Sequence, residues 1–194
     1  MPVNTSSPSD SDLLHRAIQG DTNAYGNLYE RYLDEVYRYV YYRVADQHTA
    51  EDLTEIAFVK AWEALPRLKS LPQNVRAWIY RIAHNTVIDH YRTRKTSFPL
   101  EQAENLADEV PQPETALQSL EEKQQLALAI KQLKPQFQQV LVCRFINGLS
   151  HAETARIMGL SKNHVRVIQY RALQKIREIL TSLSTHEQRK QTHS

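Results

Sequence analysis

One cysteine and four glycines in 194 residues leave this chain short of two common structural devices. A single thiol, Cys143, excludes an internal disulfide and a cysteine-built zinc site. It suits a reducing compartment. Scarce glycine, eight prolines and no alternating stretch bounded by hairpin turns argue against a β-sheet protein. No apolar run approaches the roughly 18 residues that a membrane span needs. The amino-terminal "MPVNTSSPSDSD" lacks the basic start and apolar stretch of a signal peptide, so a soluble, cytoplasmic protein is expected.

Catalytic signatures are missing too. There is no phosphate-binding glycine loop, no dinucleotide fingerprint and no nucleophile–base pairing. Eight histidines invite a search for metal ligands. His84 and His90 fall on different faces of one helix, however, and His151 and His164 flank a turn with no Cys or Asp set beside them. Cys143 sits among Val140, Leu141, Val142 and Phe145 and reads as a small buried hydrophobe. The expectation is a protein that binds: not an enzyme, with no cofactor, no metal and no small-molecule substrate.

What is present is helical periodicity, nearly throughout. The predicted class is all-α: two small helical domains joined by an acidic flexible linker, the second containing a helix-turn-helix. Residues 1–11 read as a disordered polar arm and 12–95 as the first domain. The linker covers 96–117, where "SFPLEQAENLADEVPQPET" loses periodicity and gathers three prolines. The second domain is expected over 118–182, with a polar, frayed tail at 183–194. Helices are expected near 12–19, 22–44, 49–65, 74–94, 117–131, 135–147, 150–158 and 161–182. The second of these holds seven of the ten tyrosines, with Leu28, Tyr32, Val36, Tyr39 and Val40 along one face.

Charge is segregated along the chain. Residues 1–58 carry four Arg against ten Asp/Glu, and residues 61–95 seven bases against two acids. Residues 101–122 carry seven acids and no base, and residues 131–180 nine bases against two acids. Such alternation points to separate surfaces with separate partners.

Three faces carry the functional reading. In "HAETARIMGLSKNHVRVIQY" (151–170), Ala155 fits a close helix crossing, Gly159 a left-handed turn and Ser161 a helix cap. Val165, Ile168, Ala172 and Ile176 point inward. Lys162, Asn163, Arg166, Val167, Tyr170 and Arg171 are left for the major groove, with five bases and no acid between Leu160 and Arg177. On the helix before "ALPRLKS", Leu53, Ile56, Ala57, Ala61 and Ala64 form a core stripe. Asp52, Glu55, Val59 and Glu63 share another face, an acidic strip with an apolar anchor.

The third face lies on "AWIYRIAHNTVIDHYR" (77–92). Beside a core stripe of Ile79, Ile82, Ala83, Thr86 and Val87, it carries Trp78, Arg81, Asn85, Asp89 and Arg92. Cations for phosphate, a flat ring and an amide with donor and acceptor are what a separated DNA strand requires. Trp78 is equally readable as core, Asn85 as a plain surface amide, and Asp52 as an acid serving its helix dipole.

The segments "AEDLTEIAFVKAWEAL", "RAWIYRIAHNTVIDHYR", the acidic linker and "LKPQFQQVLVCRFINGLSHAETARIMGLSKNHVRVIQYRALQKIRE" occur in that order. Together, over about residues 10–180, they resemble the extracytoplasmic-function (ECF) sigma factors, small initiation subunits of bacterial RNA polymerase. The resemblance implies that the first domain, region 2, binds the β′ clamp helices through Asp52, Glu55, Val59 and Glu63. It implies opening of the minus-ten element with Leu68, Lys69, Trp78, Arg81, Asn85, Arg92, Arg94 and Lys95. The second domain, region 4, would bind the β flap and read the minus-thirty-five element with Lys162, Asn163, Arg166, Val167, Tyr170 and Arg171. A cognate anti-sigma factor is implied as a further partner. Two departures stand out: Thr54-Glu55-Ile56-Ala57-Phe58 lacks the family's glutamine, and Val167 replaces a small hydroxyl residue. The alternative is a conventional helix-turn-helix regulator with an amino-terminal sensory or dimerisation bundle.

Overall fold

The computed structural model describes residues 8–97 and 114–191, with side chains placed over 8–93 and 120–182. Among these residues there is helix and no strand. Four helices make the first half: α1 (Asp10–Ile18), α2 (Thr22–Val44), α3 (Gln47–Ala64) and α4 (Val75–Ser97). Four more make the second: α5 (Glu114–Lys131), α6 (Pro135–Leu141), α7 (His151–Met158) and α8 (Lys162–Gln191). A 3₁₀ turn, Leu65–Arg67, ends α3 at Pro66, and a π-helical turn, Val142–Ile146, continues α6.

The caps explain the boundaries. Asp21 caps α2 by accepting from the Ala24 N–H. Asp46 caps α3, accepting from the Thr49 N–H at 2.8 Å, so the helix starts at Gln47, two residues before the expected 49. That aspartate stands next to Ala45, whose left-handed backbone ends α2. Each such bond satisfies one of the amides left unpaired at a helix start.

Two segments expected to be irregular are ordered instead, one as the cap and start of α1 and the other as helix. Residues 8–11, assigned to a disordered arm, are held down: Ser9 and Asp12 form a capping box on α1, while the Asp10 carboxylate accepts from Arg31 and Tyr32. Residues 183–191 of the expected frayed tail continue α8, because no glycine or proline follows Gly159 to stop it. Residues 1–7, 98–113 and 192–194, parts of the expected arm, linker and tail, lie outside the described residues. At the linker edges, Thr96 and Ser97 finish α4, and α5 begins at Glu114.

The tyrosine-rich face of α2 is core: Leu28, Tyr32, Val36, Tyr39 and Val40 are all buried, and so are Ile79, Ala83, Thr86 and Val87 of α4. Two apolar residues leave their expected places. Ile56 is 43% exposed, because the buried face of α3 is Leu53, Thr54, Ala57, Phe58 and Ala61. Phe145 is 54% exposed, since the extra residue in the π-helical turn rotates it away from Cys143.

The larger surprise is how the halves meet. A small cluster of Val140, Ala155, Val165 and Ile168 belongs to the second half alone. The main cluster draws on both, with Tyr39 and Tyr80 joining Leu141, Val142, Cys143 and Leu149. The π-helical turn and α5 pack on α2, and α7 packs on α4.

Candidate nucleic-acid and protein interfaces

Three exposed faces remain once the core is assigned. On α3, Asp52, Glu55, Val59 and Glu63 are all exposed. Between them run Ile56, Val59 (55% exposed) and Trp62, an apolar seam bordered by carboxylates. Trp62 is steadied by Tyr25, whose ring meets it edge-on at 5.0 Å. Sequence reading placed Ile56 in the core stripe and assigned Trp62 to no face, so it missed both. The spacing 52, 55/56, 59, 62/63 is itself a helical stripe and could have found them.

On α4 the Asn74 side chain accepts from the Ala77 N–H at 2.7 Å and so fixes where the helix begins. The loop before it presents Lys69 to solvent and half-buries Leu68 against the core. Trp78 is half-buried and packs on the core, leaving part of its ring accessible. Asn85 is exposed. Asp89 bridges two cations: Lys60 of α3 at 3.3 Å and Arg92 one turn on at 3.3 Å. This exposed triad ties α3 to α4 but contributes little stability. Arg94 and Lys95 lie on the backbone of α4, and their side chains are outside those described. Arg81 departs from expectation: it is exposed, but its Nη2 donates to the Arg156 carbonyl of α7 at 2.8 Å.

On α8 the turn geometry follows the motif. Gly159 is left-handed (φ 65°, ψ 32°), and the Leu160 N–H returns to the Ala155 carbonyl at 2.9 Å. Ser161 caps α8 by accepting from the His164 N–H. Val165, Ile168, Ala172 and Ile176 are buried beneath it. Lys162, Asn163, Arg166, Val167, Tyr170 and Arg171 form one exposed face, with Tyr170 65% exposed. Arg166 donates to Asn163 at 3.4 Å and Gln174 to the Tyr170 hydroxyl at 2.9 Å, which orders the face without neutralising it. A helix start with guanidiniums and an amide on its outer side is suited to base edges and phosphates.

Buried titratable groups lie away from these faces. Burial pushes the Cys143 thiol up to about 12, so it is held protonated. Burial, aided by the Arg43 charge, brings His84 down to about 4. No group of three or more His, Cys, Asp or Glu with metal-holding geometry occurs among the described residues. No described helix is long and apolar enough to cross a membrane.

Residues 28–96 match the family model of Sigma-70 region 2, and residues 129–178 match that of Sigma-70, region 4. The chain is 37% identical over 171 residues to the ECF RNA polymerase sigma factor BldN of Streptomyces coelicolor, covering 87% of this chain and 65% of BldN. It is 33% identical over 164 residues to the RNA polymerase sigma factor YlaC of Bacillus subtilis, covering 83% of this chain and 94% of that protein. Among solved structures it resembles CnrH in complex with the cytosolic domain of CnrY, at 25% identity and a TM-score of 0.71. That match covers 89% of this chain and 97% of the other.

Proposed function

Since the chain belongs to the ECF class of RNA polymerase sigma factors, we propose that it joins core RNA polymerase and selects promoters for initiation. It works through binding and strand separation, with no catalytic step of its own, in the compartment where transcription occurs. The β′ clamp helices dock on the α3 ridge of Asp52, Glu55, Val59 and Glu63, extended by Ile56 and Trp62. The β flap engages the second half.

The two promoter elements divide between the other faces. Lys162, Asn163, Arg166, Val167, Tyr170 and Arg171 read the minus-thirty-five duplex, with Arg166 and Arg171 suited to guanine edges or phosphate and Val167 to a thymine methyl. Region 2 opens the minus-ten element. Asn85 reads an unstacked base on its edge, Trp78 supports the point of strand separation, and Leu68 and Lys69 line the neighbouring loop. Arg81, Arg92, Arg94 and Lys95 accompany the phosphates. An anti-sigma protein is the further partner, and the similar CnrH is itself found in complex with the cytosolic domain of CnrY.

One observation carries this reading over that of a conventional regulator: the exposed acidic and apolar ridge on α3, in the same half as the cationic, amide-bearing face of α4. A helix-turn-helix repressor needs neither. Co-elution of the purified chain with core RNA polymerase on a sizing column, without DNA, tests it. A one-to-one complex weakened by Asp52→Lys is expected. Absence of a complex, together with tight duplex binding by a dimer of the chain alone, would establish the regulator instead.

A further inference from the structure

Most polar side chains drawn into the interior find partners there. Gln138 of α6 is buried, and its Nε2 donates to the carbonyls of Lys131 and Leu133, each at 2.9 Å. Arg76 of α4 pairs with Glu35 of α2 at 2.9 Å. Arg43 of α2 is placed differently. It is 1% exposed and donates from Nη1 to the Tyr39 hydroxyl at 2.9 Å, while its Nε has no hydrogen-bond partner among the described residues. The ion pairs among those residues involve other cations, and Arg43 has no carboxylate.

A second unpartnered donor stands beside it. Gln139 of α6 is buried and close enough to act on the same Tyr39 hydroxyl, yet its Nε2 meets no group with hydrogen-bond geometry. The hydroxyl is already engaged: it accepts from Arg43, and the neutral His84 takes its hydrogen at Nδ1, 3.3 Å away. Two N–H groups, one of them cationic, therefore flank one hydroxyl with no acceptor of their own. Nor do the neighbours supply a negative charge. Burial pushes the Tyr39 hydroxyl far up and the Cys143 thiol up to about 12, so both stay protonated beside the guanidinium. An arginine cannot escape burial by losing a proton, and a buried charge without a counter-ion is costly.

We propose that this cluster is a binding site for a small monovalent anion of the halide class, held by Arg43 Nε and Gln139 Nε2 between α2 and α6. Charge and donor number select the ligand. A water molecule would accept both hydrogens but leave the guanidinium unbalanced. Phosphate or sulfate would bring several oxygens to two donors, and the remaining lone pairs would be buried without partners. Chloride brings one charge, accepts both N–H groups and makes no directional demand. The site does not depend on the sigma-factor reading, because neither Arg43 nor Gln139 belongs to a face assigned to polymerase or DNA.

Thermal unfolding of the full chain, without polymerase or DNA, tests the site while chloride is replaced by sulfate at constant ionic strength. An ion that binds only the folded chain raises the midpoint, so a fall of roughly 3 °C or more is expected on replacement. Sulfate in general strengthens apolar burial, so its nonspecific effect runs the other way. Bromide, with the same charge and a similar size, should restore the midpoint. Gln139→Glu sets a carboxylate beside Arg43. It should abolish the chloride response and keep in sulfate the midpoint that the wild type reaches in chloride. Arg43→Met removes both charge and donor and should lose the response as well; should it fail to fold, Gln139→Glu still decides. Equal wild-type midpoints in chloride and sulfate, as a bound water would give, would overturn the site. So would a chloride response that survives in either variant.

Discussion

The hydroxyl of Tyr39 on α2 lies 3.3 Å from Nδ1 of His84 on α4, deep beside the buried Arg43. An imidazole so placed, desolvated and near a guanidinium, is held neutral in the folded chain, down to about pH 4. The unfolded chain takes up a proton near pH 6.5. Since the folded pKa is the lower one, the associated stability is fully present above pH 6.5 and is lost as pH falls toward 4. The whole window corresponds to about 3 kcal/mol. Urea midpoints at pH 7.5 and pH 5 should differ accordingly, and His84→Gln should flatten the dependence in that range.

Asp52→Lys should weaken binding to core polymerase tenfold or more while leaving helicity intact, because Asp52 is exposed and contributes nothing to the core. Trp62→Ala should weaken the same complex through lost apolar contact, with little change in its salt dependence. Titration of labelled chain against core enzyme at two salt concentrations separates the two effects.

Asn85→Ala should alter the preferred minus-ten sequence without changing polymerase affinity. An exposed amide can discriminate base edges, while an alanine there leaves the helix undisturbed. Selection of active promoters from a randomised minus-ten library would reveal it, and an unchanged preference would remove Asn85 from the reading.

Arg171→Ala should cost about 1–3 kcal/mol at one base position of the upstream element if the guanidinium reads an edge. A uniform loss across all sequences, with a shallower salt dependence, would make it a phosphate contact. Competition binding of the holoenzyme to single-position promoter variants distinguishes the outcomes.

Gly159→Ala should lower the stability of the chain by about 1 kcal/mol. The cost is conformational: the backbone is left-handed at φ 65°, while a methyl group there would meet nothing within 4 Å. Thermal unfolding followed by circular dichroism measures it.

Helix class, the helix-turn-helix with its Gly159 turn and Ser161 cap, and the tyrosine-lined core of α2 were all legible in the sequence. These features are local: hydrophobic period, cap chemistry and the glycine a left-handed turn requires act within a few residues. Local rules also predict their own failures. Ile56 looked like core because it is aliphatic, and only the packing of α3 showed that Phe58 and Thr54 occupy the place it would have taken. Phe145 was displaced by a π-helical turn that no spacing in the sequence announced.

The tertiary structure alone decided that the halves share a core. Asn147 and Glu35 are 112 residues apart, and nothing in either neighbourhood marks them as partners. Nor does Arg81 differ in sequence from any other helix-face cation, although in the fold it caps a carbonyl of α7. Periodicity reports which face of a helix avoids water; which partner covers that face depends on long-range shape and on the pairing of buried polar groups. The sequence by itself determined the helices and the chemistry of their faces, and the fold determined which of those faces meet.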